Sequence, residues 1–423
     1  MSDSSDEDEY ESWDETLQRI KRNDSCVDKI DLDGVDIQNM TNEQLDELGR
    51  DIADNTHLVE VNLSDAAIND HKASRLFRGL TRSSSIKEMT LRYDDLSAAG
   101  VLSMEPFLQN ANNLQLLSLS NNNIQSGGFN MIFRALRDSP IETLFCRWCG
   151  IESIEIEKEN SPRHLRQLAL QGNSINTDGC RQIAKLLQGG DVTLKSLNLE
   201  GNKIDDEGVE ILVDALQNNK SLKDLDLKGN KRISKHGNIM LLKLVNDVSS
   251  IEATLRSNHT LWYLRGSDHQ IQIHINNLIT MNRNGGSTEA AGREKVIQTQ
   301  LNSAMRAKLE EIQGINHSLY REIDPLHLPE VLALVGRRHG QGELYIALKS
   351  SIAGVISTVN RKECIEVQMA YHVSKLEHHA SKLEQLDAEL SAIEAAQGRA
   401  EGGESRSSKR RRKWWWGLWG RTS

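Results

Sequence analysis

Residues 165–176 read LRQLALQGNSIN, residues 194–205 read LKSLNLEGNKID, and residues 222–234 read LKDLDLKGNKRIS. All three follow apolar-x-x-apolar-x-apolar-x-x-Asn-x-apolar, with one residue inserted before Ile233 in the last. A fourth clear copy runs through Leu114, Leu117, Leu119, Asn122 and Ile124. Weaker copies start at Val27, Leu58, Ile86, Ile141 and Leu261, giving nine starts spaced by about 28 residues. A fixed period of this size marks a stacked repeat array. The alternating x-L-x-L predicts a short strand with one buried face. The asparagine predicts a ladder in which each buried amide satisfies backbone groups of neighbouring repeats. Gly100, Gly128, Gly179, Gly208 and Gly237 each follow the closing apolar position by four residues. Lacking a Cβ, they are expected to let the chain turn closely from strand into helix. That helix is expected to end on an apolar residue six before the next repeat: Ile52, Leu80, Leu108, Leu216 and Leu255.

Over roughly residues 27–283 these positions resemble the ribonuclease-inhibitor-like class of leucine-rich repeats. The resemblance implies an α/β horseshoe solenoid, with parallel strands on the concave side and helices on the convex side. It says little about function, because the class serves inhibitors, GTPase activators, innate-immune sensors and actin-capping proteins alike. The expected organisation is an acidic disordered tail (1–15), the solenoid (16–283), a flexible linker (284–292, NGGSTEAAG) and a helical region (293–358). A coiled coil (359–397) and a disordered basic, tryptophan-rich tail (398–423) follow.

The net charge of −10 hides a gradient: residues 1–15 carry eight acids and no base, and residues 405–423 carry seven bases and no acid. The start MSDSSDEDEY has neither a basic n-region nor an apolar h-region, and no run is long and apolar enough to span a membrane. Five cysteines at irregular spacing read as reduced thiols. The expectation is an intracellular protein, cytoplasmic or nuclear, that is neither secreted nor membrane-spanning.

No catalytic residue, metal site or cofactor is expected. Cys146 and Cys149 form a C-x-x-C, but the repeat places the first at a buried leucine position and the second at the asparagine position. No second such pair completes a zinc site. The chain has no H-E-x-x-H, no phosphate-binding glycine loop and no G-x-S-x-G elbow.

The outward strand positions are the candidate interface, since stacked strands make one continuous surface. Register places Glu60, Glu88 and Arg92 toward one flank, Leu116, Phe145 and Arg147 at the centre, and Tyr263 at the far end. Trp148 follows the central strand. Trp, Tyr and Arg dominate protein–protein hot spots, so residues 116–148 are the expected centre of a partner site. Packing of Trp148 against the neighbouring turn as filler is the alternative.

Beyond the solenoid, Val296, Leu301, Met305, Leu309 and Ile312 recur at helical spacing and read as a long amphipathic helix that caps the last repeat. Ile365, His372, His379, Leu386 and Ile393 fall seven apart, with Met369, Leu376, Leu383 and Leu390 at the companion positions. This predicts a coiled coil that pairs two chains, or else an intramolecular helix. Lys409, Arg410, Arg411, Arg412 and Lys413 precede Trp414, Trp415, Trp416 and Trp419. The run reads as a nuclear-import signal for an importin or as a contact for an anionic membrane surface. Nucleic acid is not an expected partner. The leading reading is a non-enzymatic scaffold or adaptor that binds a protein partner on the concave face. The alternatives are a regulator of a small GTPase, like the activating protein of Ran, or an actin-capping protein like tropomodulin.

Overall fold

The computed structural model describes residues 13–32, 37, 40–157, 161–188, 193–300, 303–315 and 388. The chain divides into two units, Met1–Arg321 and Glu322–Ser423. The coiled-coil heptads, the basic tail and residues 1–12 all lie outside the described residues.

Nine three-residue strands form one parallel sheet in chain order. They are β1 (Lys29–Asp31), β2 (Glu60–Asn62), β3 (Glu88–Thr90), β4 (Leu116–Ser118) and β5 (Thr143–Phe145). β6 (Gln167–Ala169), β7 (Ser196–Asn198), β8 (Asp224–Asp226) and β9 (Tyr263–Arg265) complete it. Every strand begins two residues after one of the nine starts read from the sequence. The middle residues, from Ile30 through Val61, Met89 and Leu117 to Leu264, pair in register and are buried. Apolar residues at the other inward positions extend one continuous core along the array.

Helices cover the other side of the sheet: α1 (Trp13–Lys21), α2 (Asn42–Asp54), α3 (Asp70–Leu80), α4 (Ala98–Leu102), α5 (Glu105–Asn110) and α6 (Gln125–Ala135). Next come α7 (Thr177–Leu187), α8 (Asp206–Gln217), α9 (Lys235–Val245), α10 (Ile251–Arg256) and α11 (His269–Asn284). The residue after the closing apolar position sets the helix start. Asn69, Ser97, Asn176, Asp205 and Ser234 each cap a helix by accepting a backbone N–H.

The five glycines lie inside these helices, in their first turns, rather than at a turn. A Cβ on Gly100 would stand 2.3 Å from Asp70 Oδ1, and one on Gly237 2.4 Å from Asp206 Oδ1. Those carboxylates accept hydrogen bonds from Ser97 and Ser234 in the next repeat. At these two positions close approach of successive helix starts is therefore what excludes a side chain, whereas at Gly179 a Cβ would meet Ile175 of its own repeat.

Four further expectations are corrected. Leu255 is 39% exposed, and Thr254 fills the core of its short helix instead. Residues 284–292 are not a flexible break: a turn at Gly285 leads to Ser287, which caps α12 (Thr288–Lys295) and buries Ala291. The long helix expected from 293 is interrupted by a π-helical turn, Val296–Gln300, before α13 (Ser303–Gln313). Val296 and Leu309 are buried, with Met305 and Ile312 packed on the core. At the other end α1 starts at Trp13, inside the stretch read as a tail, and buries Ile20.

Candidate protein-interaction face

The candidate residues do not form one group. Glu60 is tied to Lys29 at 2.7 Å near the first repeat. Tyr263, at the opposite end, donates to Asp226 Oδ2 at 3.1 Å and accepts from Arg265, so its hydroxyl is engaged within the face. Glu88, Arg92, Leu116, Phe145, Arg147 and Trp148 fall together on the three repeats that carry β3, β4 and β5.

At this centre the Arg147 guanidinium lies 4.5 Å from the Phe145 ring centroid, a cation–π stack. Burial and the nearby Arg92 pull the Arg147 pKa below its ordinary value. Neither arginine makes an ion pair among the described residues, whereas elsewhere on the face Glu200 meets Lys228 and Asp226 meets Arg265. Arg147 Nε, Ser118 Oγ and Gln171 Oε1 are buried and have no hydrogen-bond partner. Buried polar atoms are nearly always paired, so three orphans on adjacent repeats mark the centre as unusual.

Trp148 packs on its neighbour and is exposed as well. Its indole lies across Gly172, where a Cβ would come within 2.2 Å of Cδ1 and Nε1, yet the side chain stays 53% exposed. Its backbone is left-handed, with φ +49°. The same slot in the seven repeats from β2 to β8 holds Asp65, Tyr93, Asn121, Trp148, Gly172, Gly201 and Gly229, all with positive φ. The slot continues the ladder past the strands: Asn121 N–H donates to Arg147 O, Trp148 N–H to Gln171 O, and Gly172 N–H to Glu200 O. Glycine adopts such a backbone freely and a bulky residue does not. Tyr93, 62% exposed with φ +58°, occupies it two repeats before Trp148. Sequence reasoning passed over Tyr93, although it precedes Asp94 just as Gly172, Gly201 and Gly229 precede Asn173, Asn202 and Asn230.

The cysteine pair behaves as repeat structure. Cys149 Sγ lies 3.2 Å from Leu119 O, replacing the amide of the asparagine ladder, and its N–H donates to Asn173 Oδ1. Burial pushes the Cys149 thiol up to about 11 and Cys146 well above its ordinary range, so neither is a ready thiolate. Among the described residues no helix is long and apolar enough to cross a membrane.

Comparison with known proteins agrees with this geometry. The leucine-rich-repeat family signature matches residues 113–136, 161–184 and 191–213. The ribonuclease inhibitor of Sus scrofa is 28% identical over 195 residues, 38% of this chain and 42% of that one. A human NACHT, LRR and PYD domains-containing protein, number 14, is 28% identical over 40% of this chain and 16% of its own length. The chain thus spans less than half the length of these curated relatives. Among solved structures, actin-binding site 2 of leiomodin-1 matches 31% of this chain and 77% of its own at 25% identity, with a TM-score of 0.28. The nine-strand ladder in helix-backed repeats, its asparagine rungs, the family signature and the ribonuclease-inhibitor match support a leucine-rich-repeat protein of the ribonuclease-inhibitor-like kind.

Proposed function

We propose that the chain is a binding scaffold whose strand face takes a protein partner, centred on Leu116, Phe145, Arg147 and Trp148. The observation that carries this reading is the exposed Trp148 indole beside the Phe145–Arg147 stack, on a surface with no core to fill. Well-packed aromatic and arginine side chains of this kind supply most of the binding energy in protein interfaces. Glu88 and Arg92 fall with this group, and Glu60 and Tyr263 would contribute at the flanks. Proximity labelling in cells with the wild-type chain and with Phe145→Ala/Arg147→Ala tests it. Loss of the labelled partner, with at least about a tenfold weaker affinity on reconstitution, is expected of a hot spot. Unchanged labelling would place the partner elsewhere.

The C-terminal segments complete the proposal. The 359–397 heptads would pair two copies, which analytical ultracentrifugation of the full chain reads directly. The basic aromatic run Lys409–Trp419 would serve as an attachment segment for an importin or an anionic surface. Co-sedimentation with phosphatidylserine liposomes, with and without residues 409–423, decides between the two.

A further inference from the structure

Arg92-Tyr93 and Arg147-Trp148 are two copies of one arrangement. In each, an arginine at the outward position after the strand precedes an aromatic held at positive φ and more than half exposed. The backbone N–H of each arginine points at the serine hydroxyl of the previous repeat, Arg92 to Ser64 and Arg147 to Ser120, both at 3.3 Å. The repeat between them carries Ser120 and Asn121 in the same two positions, and Ser120 is only 3% exposed. Two Arg–aromatic walls therefore flank a trough floored by small residues. At ~4.8 Å per strand the walls stand about 10 Å apart. Leu116 and the Arg147-stacked Phe145 lie alongside. Ser118, 2% exposed, has its hydroxyl without a hydrogen-bond partner on the strand between the walls.

Building on the strand-face reading above, we infer that this trough recognises an extended, acidic polypeptide segment with two carboxylates three residues apart. In a polyproline II conformation three residues rise about 9 Å and return to the same face, which matches the spacing of the two walls. Among the described residues neither guanidinium meets a carboxylate, and each offers a planar fork that suits one. Tyr93 and Trp148 would pack on the apolar stems and on the residues between the acids. The surroundings favour discrete carboxylates over a continuous polyanion. Glu60 and Glu88 lie to one side, Glu200, Asp224 and Asp226 to the other, and a nucleic acid or lipid headgroup layer would run onto them.

The test is panning of a phage-displayed random dodecapeptide library on the full chain, with Lys409–Lys413 replaced by glutamine so that the tail does not capture acidic peptides. The expected selection is enriched in Asp or Glu at two positions three apart. The strongest synthetic peptide should bind Arg92→Glu/Arg147→Glu at least thirtyfold more weakly, Arg92→Gln about tenfold more weakly, and Tyr93→Ser about fivefold more weakly. Panning on the double reversal should select Lys or Arg instead. Arg92→Gln, at an exposed position, keeps the test valid if the double reversal fails to fold by circular dichroism. Peptides without acidic enrichment, acidic peptides that keep their affinity for Arg92→Gln, or no selection at all would overturn the inference. Leu116→Lys separates the two claims. Peptides that lose affinity there but ignore the arginine substitutions would preserve the strand-face reading and remove the acidic one, and peptides indifferent to both would remove both.

Discussion

The asparagine ladder shows what a single residue contributes, and Asp94 shows what happens when it changes. Each ladder asparagine works in both directions. Asn122 Nδ2 donates to Leu91 O and Leu119 O while its Oδ1 accepts from Leu96 N–H. Asp94 holds the same position and repeats only half of this: Oδ1 accepts from Ala66 and Ile68, but Oδ2 has no hydrogen-bond partner. Burial pushes its pKa up to about 7. A carboxyl whose pKa is higher folded than unfolded stabilises the fold only while protonated. Its contribution is full below about pH 4, where both states hold the proton. It is lost as pH rises from there through 7. Asp94→Asn restores the amide donor at every pH, so it should stabilise on the order of 2–4 kcal/mol at pH 8 and well under about 1 kcal/mol at pH 4. Urea melts at the two pH values measure this, and an equal gain at both would sink the account. The ladder was legible because its chemistry needs one residue type at a fixed spacing. The left-handed slot beside it was not, because five residue types fill that slot and only a backbone angle unites them.

At the level of elements, every strand start was legible, since inward apolar residues at period two leave no freedom of register. The convex side was less so, because any element that buries its apolar stripe satisfies the pattern. Two readings failed there for that reason: Leu255, and the glycine-rich 284–292. Helix α12 that replaces the break does more than cover the last repeat, because it buries a charge-bearing residue. Lys295 is fully buried, its Nζ donating to Val245 O at 2.5 Å and lying 3.2 Å from His259 Nδ1. His259 Nε2 lies 3.2 Å from Leu255 O. This arrangement assigns the imidazole as neutral, with Nε2–H donating to the carbonyl and Nδ1 accepting from the lysine. Burial lowers Lys295 to about 7, and burial with the adjacent Lys295 lowers His259 to about 4. Both bases bind protons more weakly folded than unfolded, so both make stability rise with pH. The rise runs from about 4 to 6.5 for the histidine and from about 7 to 10.5 for the lysine. Lys295→Met should therefore strengthen the cap by about 3 kcal/mol at pH 6 and lose that advantage by pH 10, where the neutral amine keeps its bond to Val245 O. Hydrogen exchange of α10 and α12 across this range reads the effect. An advantage independent of pH would mean that Lys295 is not the titrating group.

Among the described residues of the repeat unit the convex layer has a gap, and it backs the candidate face. The repeat starting at Ile141 is the shortest, with the next start 24 residues on, and no helix is assigned among its described residues between β5 and β6. A segment without regular secondary structure, 151–157, stands between α6 and α7 instead and buries Ile151, Ile154 and Ile156. Side chains of both flanking helices hold it. Ser126 Oγ accepts from Glu152 and Ser153 N–H, Asn130 Oδ1 from Glu155 N–H, and Gln182 Oε1 from Ile156 N–H. In a solenoid each repeat is stabilised by its immediate neighbours, so the stability of the array follows its weakest interface. A segment without internal helical bonds, strapped by side chains, is expected to be that interface. The repeats before and after it should then behave as two cooperative units. Native-state hydrogen exchange should show amides 151–157 opening at lower free energy than those of α7 and α8, which share a continuous helical face. Ser126→Ala removes the acceptor of two strap amides. It should destabilise by about 1–2 kcal/mol and lower protection at 151–157 well before that of β8 and β9. Uniform loss along the array would instead show that the solenoid unfolds as one body. Arg147 and Trp148 directly precede this segment, so a partner that bridges β3 to β6 would span the soft interface and stiffen it. Exchange at 151–157 should slow on binding even though the strap itself is not contacted.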